Sequence, residues 1–260
     1  MEKNLNLKRK IFRGVKLNLD RNKFLKDNKI HGSYHEFFTL EIIREIEKIM
    51  NTISNYTPAK IKIFKAFRDD LSKVRIVLLA MDPYPQKGVA TGLAFEVEKD
   101  SWMDKGINTS LKNIVKLIYK TYMGDIPAID RLRKEINNKT FDILPPKKLF
   151  KSWETQGVLL LNTALTVEIG NSGSHIKLWK NFTEKLIGFI EENNNNIIFL
   201  LWGVKAGEYK KYIEHSQIIE HNHPAICGNL KNPKDFLNGE SFEKTRDIIQ
   251  WTGKIKTNNQ

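Results

Sequence analysis

The chain has 260 residues, 40% of them hydrophobic and 28% charged. That is enough for one large α/β domain with a real core, and the balance argues against disorder. One cysteine, Cys227, excludes an intrachain disulfide and a cysteine-built zinc site, and the net charge of +13 favours a polyanionic partner, most simply nucleic acid.

The competing reading of that charge is a lysine-rich surface set by compositional bias, which the many Asn runs support. The first thirty residues carry ten Lys and Arg against three acids. They read as a basic N-terminal arm or packing segment, with residues 31–260 as a single α/β domain. No secretory apolar region follows Met1-Glu2-Lys3-Asn4, and the longest apolar runs are too short to span a bilayer. The expectation is an intracellular protein with no membrane partner: cytoplasmic or at the nucleoid in a bacterium, nuclear or in the host cell otherwise.

Residues 36–51 place Phe37, Leu40, Ile43, Ile46 and Met50 at spacings of three and four, which predicts an amphipathic helix. Pro58 predicts the opening of a second helix, with Ile61, Phe64 and Phe67 on one face. Four apolar runs predict buried strands: Arg75–Met81, Val158–Leu165, Asn196–Trp202 and Gln217–Glu220. Helical patterns follow at Ser110–Tyr122, Leu178–Glu191, Val204–Ile213 and Phe242–Trp251, and residues 123–150 form the least regular connection. Strands alternating with helices imply a central four-stranded parallel sheet flanked by helices.

In open parallel sheets, sites gather at the carboxyl ends of the strands. Asp82 follows the first strand, Asn162 lies late in the second, Gly203 follows the third, and His221 and His223 follow the fourth. An acid, an amide and a histidine therefore converge on one edge. Each has a plainer reading. Asp82 could cap a turn, Asn162 could bond neighbouring backbone, and His223 before Pro224 could order its loop. Phe95 could be core or a stacking face for a flat ring. His221 and His223 have metal-ligand spacing, but with no third clustered histidine a metal is not expected. No GxSxG elbow, P-loop or GxGxxG is present.

"MDPYP…GLAFEV", "GVLLLNTALTV…SGSH", "IIFLLWG" and "NHPAICG" stand in the order and spacing of family 1 uracil-DNA glycosylases. The chain resembles that family over about residues 58–251, with "SLKNIVKLI" and "SFEKT" as further matches. The resemblance implies hydrolysis of the N-glycosidic bond of uracil in DNA after nucleotide flipping, the first step of base excision repair. It implies Asp82 and His223 as catalytic residues: Asp82 to position water and oppose the cationic sugar, His223 to hold the departing uracil at O2. Asn162 would read the uracil edge, Tyr84 would fill the space of a thymine methyl, Phe95 would stack, and Met81 would contribute backbone. Pro85, Ser110, Gly203, Pro224, Ala225 and Cys227 fall at DNA-contacting positions. No cofactor is implied. The partners implied are uracil-containing DNA, single- or double-stranded, and a DNA-mimicking protein inhibitor or replication proteins, with the chain a monomer.

Departures from the family pattern are specific. Met81 stands for glutamine, Pro85 for the more common histidine, Val204, Ala225 and Gly228 for serines, and Cys227 aligns with the wedge leucine, leaving Ile226 or Leu230 as alternative wedges. Lys231, Lys234 and the basic head could compensate through phosphate attraction. The lost serines also suit an alternative, a glycosylase-fold DNA-binding processivity subunit of a replication complex.

Overall fold

The computed structural model describes residues 20–254. Four strands form the parallel sheet: β2 (Ile76–Ala80), β3 (Val158–Asn162), β5 (Ile198–Trp202) and β6 (Gln217–His221), in the order β3-β2-β5-β6. All five residues of β2 and of β3 are buried, as expected when helices cover both faces. The register decides what meets at the carboxyl edge. Ala80 pairs with Asn162, Leu79 with Leu201, and Trp202 with His221. Asp82, Asn162, Gly203 and His223 are thereby brought to one rim. The strands begin and end within a few residues of expectation. A second, two-stranded antiparallel pair, β1 (Tyr56–Thr57) with β4 (Val167–Glu168), was not anticipated.

Of the head of the chain, residues 1–19 lie outside the described residues, as do 255–260. Residues 20–30 carry helix α1 (Arg21–Asn28), capped by the Asp20 carboxylate on the Lys23 N–H, and Leu25 and Ile30 are buried in the core. Helix α2 runs Leu40–Thr52 rather than from residue 36. Thr39 caps it, so Phe37 is buried in the preceding turn, and the buried stripe is Ile42, Ile43, Ile46 and Ile49.

The helix expected after Pro58 is absent; two short 3₁₀ turns, Lys60–Lys62 and Lys65–Phe67, replace it. The apolar spacing there is a strict three, which is the 3₁₀ period, and Ile61 is 64% exposed while Phe64 and Phe67 are buried. Helix α3 (Thr109–Met123) forms as expected, with the Asn108 side chain capping the Leu111 N–H. The connection read as irregular holds two helices, α4 (Ile129–Asn137) and α5 (Pro146–Thr155). Ile129, Leu132 and Ile136 carried the signal for the first, and Pro146 in the first turn for the second. Helix α6 (Ile176–Asn193) returns the chain from β3 to β5. The last two predicted helices are much shorter than expected: α7 (Val204–Gly207), followed by a 3₁₀ turn at Lys210–Tyr212, and α8 (Ser241–Thr245). Trp251 still reaches the core, from a turn, where it meets Trp153 and Phe242 edge-on.

Candidate active site

Asp82 sits just past β2, where Pro83 and Pro85 stiffen the chain. Its carboxylate accepts the Gly173 N–H at 2.6 Å and the Ser172 hydroxyl at 3.1 and 3.3 Å. Burial pushes this carboxyl above its ordinary value, and those two donors oppose the shift by favouring the anion. The donors belong to the turn between β4 and α6. That turn is moored to the Asp82 segment by the Gly170 N–H on the Pro85 carbonyl, 2.9 Å. An oriented, partly desolvated carboxylate can hold a water and face a developing positive charge.

His223 follows β6 with an opposite assignment. Its Nδ1 accepts the Ala225 N–H at 3.1 Å, so the neutral ring carries its proton on Nε2. Burial alone pulls its pKa below the ordinary value, and no acid compensates. The ring is therefore a neutral donor at pH 7. Gly203 (φ +100°) permits this placement, because a Cβ there would meet the His223 Cβ at 3.0 Å. Asn113 on α3 donates to the Pro224 carbonyl at 2.7 Å and ties the histidine loop to the helix.

The walls are built from the 82–97 stretch and β3. Tyr84 donates its hydroxyl to the Phe95 carbonyl at 3.1 Å, locking two aromatic walls to each other. Phe95 packs against Trp202 and His223 with ring centroids 5.5 and 5.8 Å apart. Its backbone is left-handed (φ +60°), a conformation that costs a bulky residue roughly 1–3 kcal/mol and that is characteristic of functional sites. Gly92 brings the segment in: a Cβ there would lie 1.9 Å from the Lys62 carbonyl oxygen. The Ala94 N–H then donates to Leu160 on β3. Asn162 is 4% exposed, and its Oδ1 is buried with no protein donor. A buried amide oxygen left open in this way is a binding group waiting for an N–H.

These groups enclose a cavity of about 150 Å³. A cavity of about that size holds one benzene-sized ring. Met81, Asp82, Tyr84, Pro85, Phe95 and Asn162 line it, with Ser110 and His223. The Met81 carbonyl is already used, accepting from Thr163 Oγ1 (2.7 Å) and the Ala164 N–H (3.0 Å). Gly203, Pro224, Ala225 and Cys227 do not line the cavity. Ala225 is exposed on the histidine loop, whereas Cys227 is half-buried with its thiol 3.5 Å from the Pro224 carbonyl. Ile226 beside it is 74% exposed. Sequence reasoning assigned no role to Ser172, Gly173 or Asn113. The first two sit in the quoted "SGSH" stretch, but their contact with Asp82 spans about ninety residues and leaves no local signal.

An acid, a neutral histidine donor and an open amide around a ring-sized slot, at the carboxyl edge of a parallel sheet, are the groups and the place expected of an α/β enzyme's active site. The Uracil DNA glycosylase superfamily model matches residues 68–247. The uracil-DNA glycosylase of Yersinia enterocolitica is 35% identical over 203 residues, 76% of this chain and 78% of that protein. That of Francisella tularensis subsp. holarctica is 39% identical over 206 residues, 75% and 83% of the two chains. Among solved structures, the enzyme of Nitratifractor salsuginis superposes with a TM-score of 0.68 at 23% identity, covering 88% of this chain and 96% of its own. The mimivirus uracil-DNA glycosylase gives 0.64 at 21%, covering 87% and 85%. The chain belongs to the uracil-DNA glycosylase superfamily.

The buried histidines also set a pH dependence of stability. His175, His221 and His223 are all pulled below the ordinary value of 6.5, in each case chiefly by burial. The unfolded chain therefore takes up protons near pH 6.5 that the folded chain refuses, and stability falls as pH drops through 6.5. The raised Asp82 carboxyl works in the other direction, but over a window that starts from its ordinary value of 3.8. Urea melts at pH 7.5 and 5.5 are expected to show a lower midpoint at pH 5.5. Replacing His175 and His221 with Gln is expected to flatten that dependence.

Proposed function

We propose that this chain excises uracil from DNA by hydrolysing the N-glycosidic bond of a flipped nucleotide, with Asp82, Asn162 and His223 as the working side chains. The observation that carries the assignment is the convergence of those three residues, from three strand ends, on one ring-sized cavity. Flipping is required because the bond is inaccessible inside the stack. Phe95 supplies the stacking face. Asn162 Oδ1 accepts from uracil N3–H, and its amide N–H donates to O4. The Tyr84 ring occupies the space beside C5, where a thymine methyl would stand. As the C1′–N1 bond breaks, positive charge grows on the sugar opposite the Asp82 carboxylate. Negative charge grows on the uracil, where the His223 Nε2–H donates to O2. Preorganised groups at both developing charges stabilise the transition state without reorganisation. Water held by Asp82 then forms the new C1′–O bond, its proton passes to solvent, and uracil leaves as the anion. Release of the base from a uracil-containing oligonucleotide, read as alkali-sensitive strand cleavage, tests the reading; an intact strand across a range of salt would count against it. A purely DNA-binding processivity subunit has no use for the open Asn162 oxygen or the neutral His223 donor, which is why excision is preferred.

The apolar residue that fills the gap left by the flipped base is assigned to Ile226. It stands exposed three residues from His223, whereas the aligned Cys227 turns back toward Pro224. Burying an isoleucine contributes about 1.5–3 kcal/mol, equivalent to tenfold or more. Ile226→Ala is expected to slow excision from duplex DNA about tenfold and from single strands less than about twofold; Cys227→Ala is expected to change neither by more than about twofold. Single-turnover rates on the two substrates check this. For DNA affinity, the exposed Lys231 and Lys234 on the same loop supply phosphate attraction in place of the lost serine hydroxyls. A protein inhibitor that mimics DNA would address the same face. A mimivirus relative of this fold has been solved in complex with UGI.

A further inference from the structure

Leu230 is 53% exposed and Ile226 is 74% exposed, four positions apart on the loop that follows His223. An aliphatic pair held out in water on one loop is an apolar surface open to a partner. The loop that carries it is tightly built. The Ile226 N–H donates to the His223 carbonyl at 2.9 Å, and Gly228 turns the chain with φ +117°. The Asp235 carboxylate, 2% exposed, accepts three backbone N–H groups. Its Oδ2 takes Gly228 at 2.8 Å and Asn229 at 2.9 Å, and its Oδ1 takes Leu237 at 2.9 Å. The Leu237 bond by itself caps the 3₁₀ turn Phe236–Asn238. The second oxygen is not needed for that cap; it pins two residues that lie between Ile226 and Leu230. The Asn238 amide adds bonds to the Leu230 and Asn232 carbonyls at 2.9 and 2.8 Å. Phe236 is fully buried against Trp202, with centroids 5.0 Å apart, and Trp202 in turn packs on Phe95. The anchor of the loop is thus continuous with a wall of the base pocket.

Charge selects the partner. Lys231 and Lys234 are exposed on this loop, and its single acid, Asp235, is buried. Aliphatic tips between lysines suit nucleic acid, the tips against bases and sugars and the cations against phosphates. A single strand has no gap in a stack to fill and no second strand to meet; a duplex has both. Resting on the excision reading above, we propose that residues 226–230 are a preformed two-pronged contact for duplex DNA, with Leu230 as the second prong beside Ile226 and Asp235 as the residue that positions both. Preorganisation spares the loop the ordering cost that binding would otherwise carry.

Excision and binding are read separately, on a uracil-containing duplex and on the same strand alone. Single-turnover rates give the first, and fluorescence anisotropy with an abasic version of each DNA gives the second. Leu230→Ala is expected to lower the duplex-to-single-strand ratio about fivefold in both readouts. Its melting temperature is expected to stay unchanged, because the side chain is half exposed, and so is the slope of log affinity against log salt, because the contact is apolar. Asp235→Ala is expected to lower the ratio about tenfold, and Asp235→Asn, which keeps one acceptor oxygen, by less. Should Asp235→Ala prove too unstable to purify, Asn238→Ala carries the same test with an expected loss of about threefold. An unchanged ratio for Leu230→Ala would overturn the proposal. So would an equal loss on both DNAs for the Asp235 or Asn238 variants, since that is the signature of a loop that merely braces His223. A wild-type chain that binds both DNAs and excises from neither overturns the functional reading instead, and the affinity ratios of the variants then decide the role of the loop.

Discussion

Asp82→Asn is expected to lower uracil excision by about 10³-fold or more while the melting temperature stays within about 2 °C or rises. The amide keeps an oxygen for the Gly173 N–H but carries no charge to set against the cationic sugar. Removing one preorganised electrostatic group from a water-poor site costs on the order of 10²–10³ in rate, and a full charge costs more. Stability should not suffer, because burial already pushes the Asp82 carboxyl up, so a neutral side chain relieves desolvation. Single-turnover excision and thermal melting on the same preparation check both halves. A large loss of melting temperature would mean that Asp82 is principally a structural cap on the 171–174 turn. Ser172→Ala gives a graded comparison. It removes one of the two donors to the carboxylate and leaves the Gly173 N–H.

Asn162→Asp is expected to cut uracil excision by about 10²–10³ and to create measurable excision of cytosine. The position is almost fully buried, so a carboxyl there is held in its neutral form by desolvation. A neutral carboxyl can carry its proton on either oxygen, so it can present to cytosine the donor–acceptor order that the amide cannot, while its ionised form leaves uracil O4 without a donor. Its O–H suits cytosine N3, and its carbonyl oxygen accepts the N4 amino group. Sites built on buried polar complementarity reject the mismatched partner strongly, because the loss is an unpaired buried group rather than a missing contact. Paired oligonucleotides differing only in uracil or cytosine read the change; unaltered discrimination would remove Asn162 from the role given to it. The neighbouring wall is independent of this pair. The role proposed for Tyr84 is one of volume, since its hydroxyl is spent on the Phe95 carbonyl.

Much of this was present in the order of the residues. The four strands read as apolar runs because a strand buried on both faces must be apolar throughout. The register of a parallel sheet then makes strand ends spatial neighbours, so the order of the residues already groups Asp82, Asn162 and His223 at one edge. The helices fared less well. The run after Pro58 spaced its apolar residues by three, which suits a 3₁₀ turn as well as one face of an α-helix, and only packing chose between them. The terminal helices shortened because burial of Tyr209 and Trp251 was achieved from turns, which periodicity does not detect.

What the sequence determined by itself was therefore the chemistry: which side chains carry charge, donors and rings, and which edge of the sheet they share. What only the tertiary structure decided was the state of each group. Asp82 is held by Ser172 and Gly173 from about ninety residues away, the His223 proton is placed on Nε2 by the Ala225 N–H, and Phe95 stands in a left-handed backbone with its carbonyl bonded by the Tyr84 hydroxyl. Cys227 is turned back toward the Pro224 carbonyl, and Ile226 beside it is left exposed. Each of these depends on contacts between segments distant in the chain, and a hydrogen bond or a burial has no address in sequence until the fold brings its two ends together.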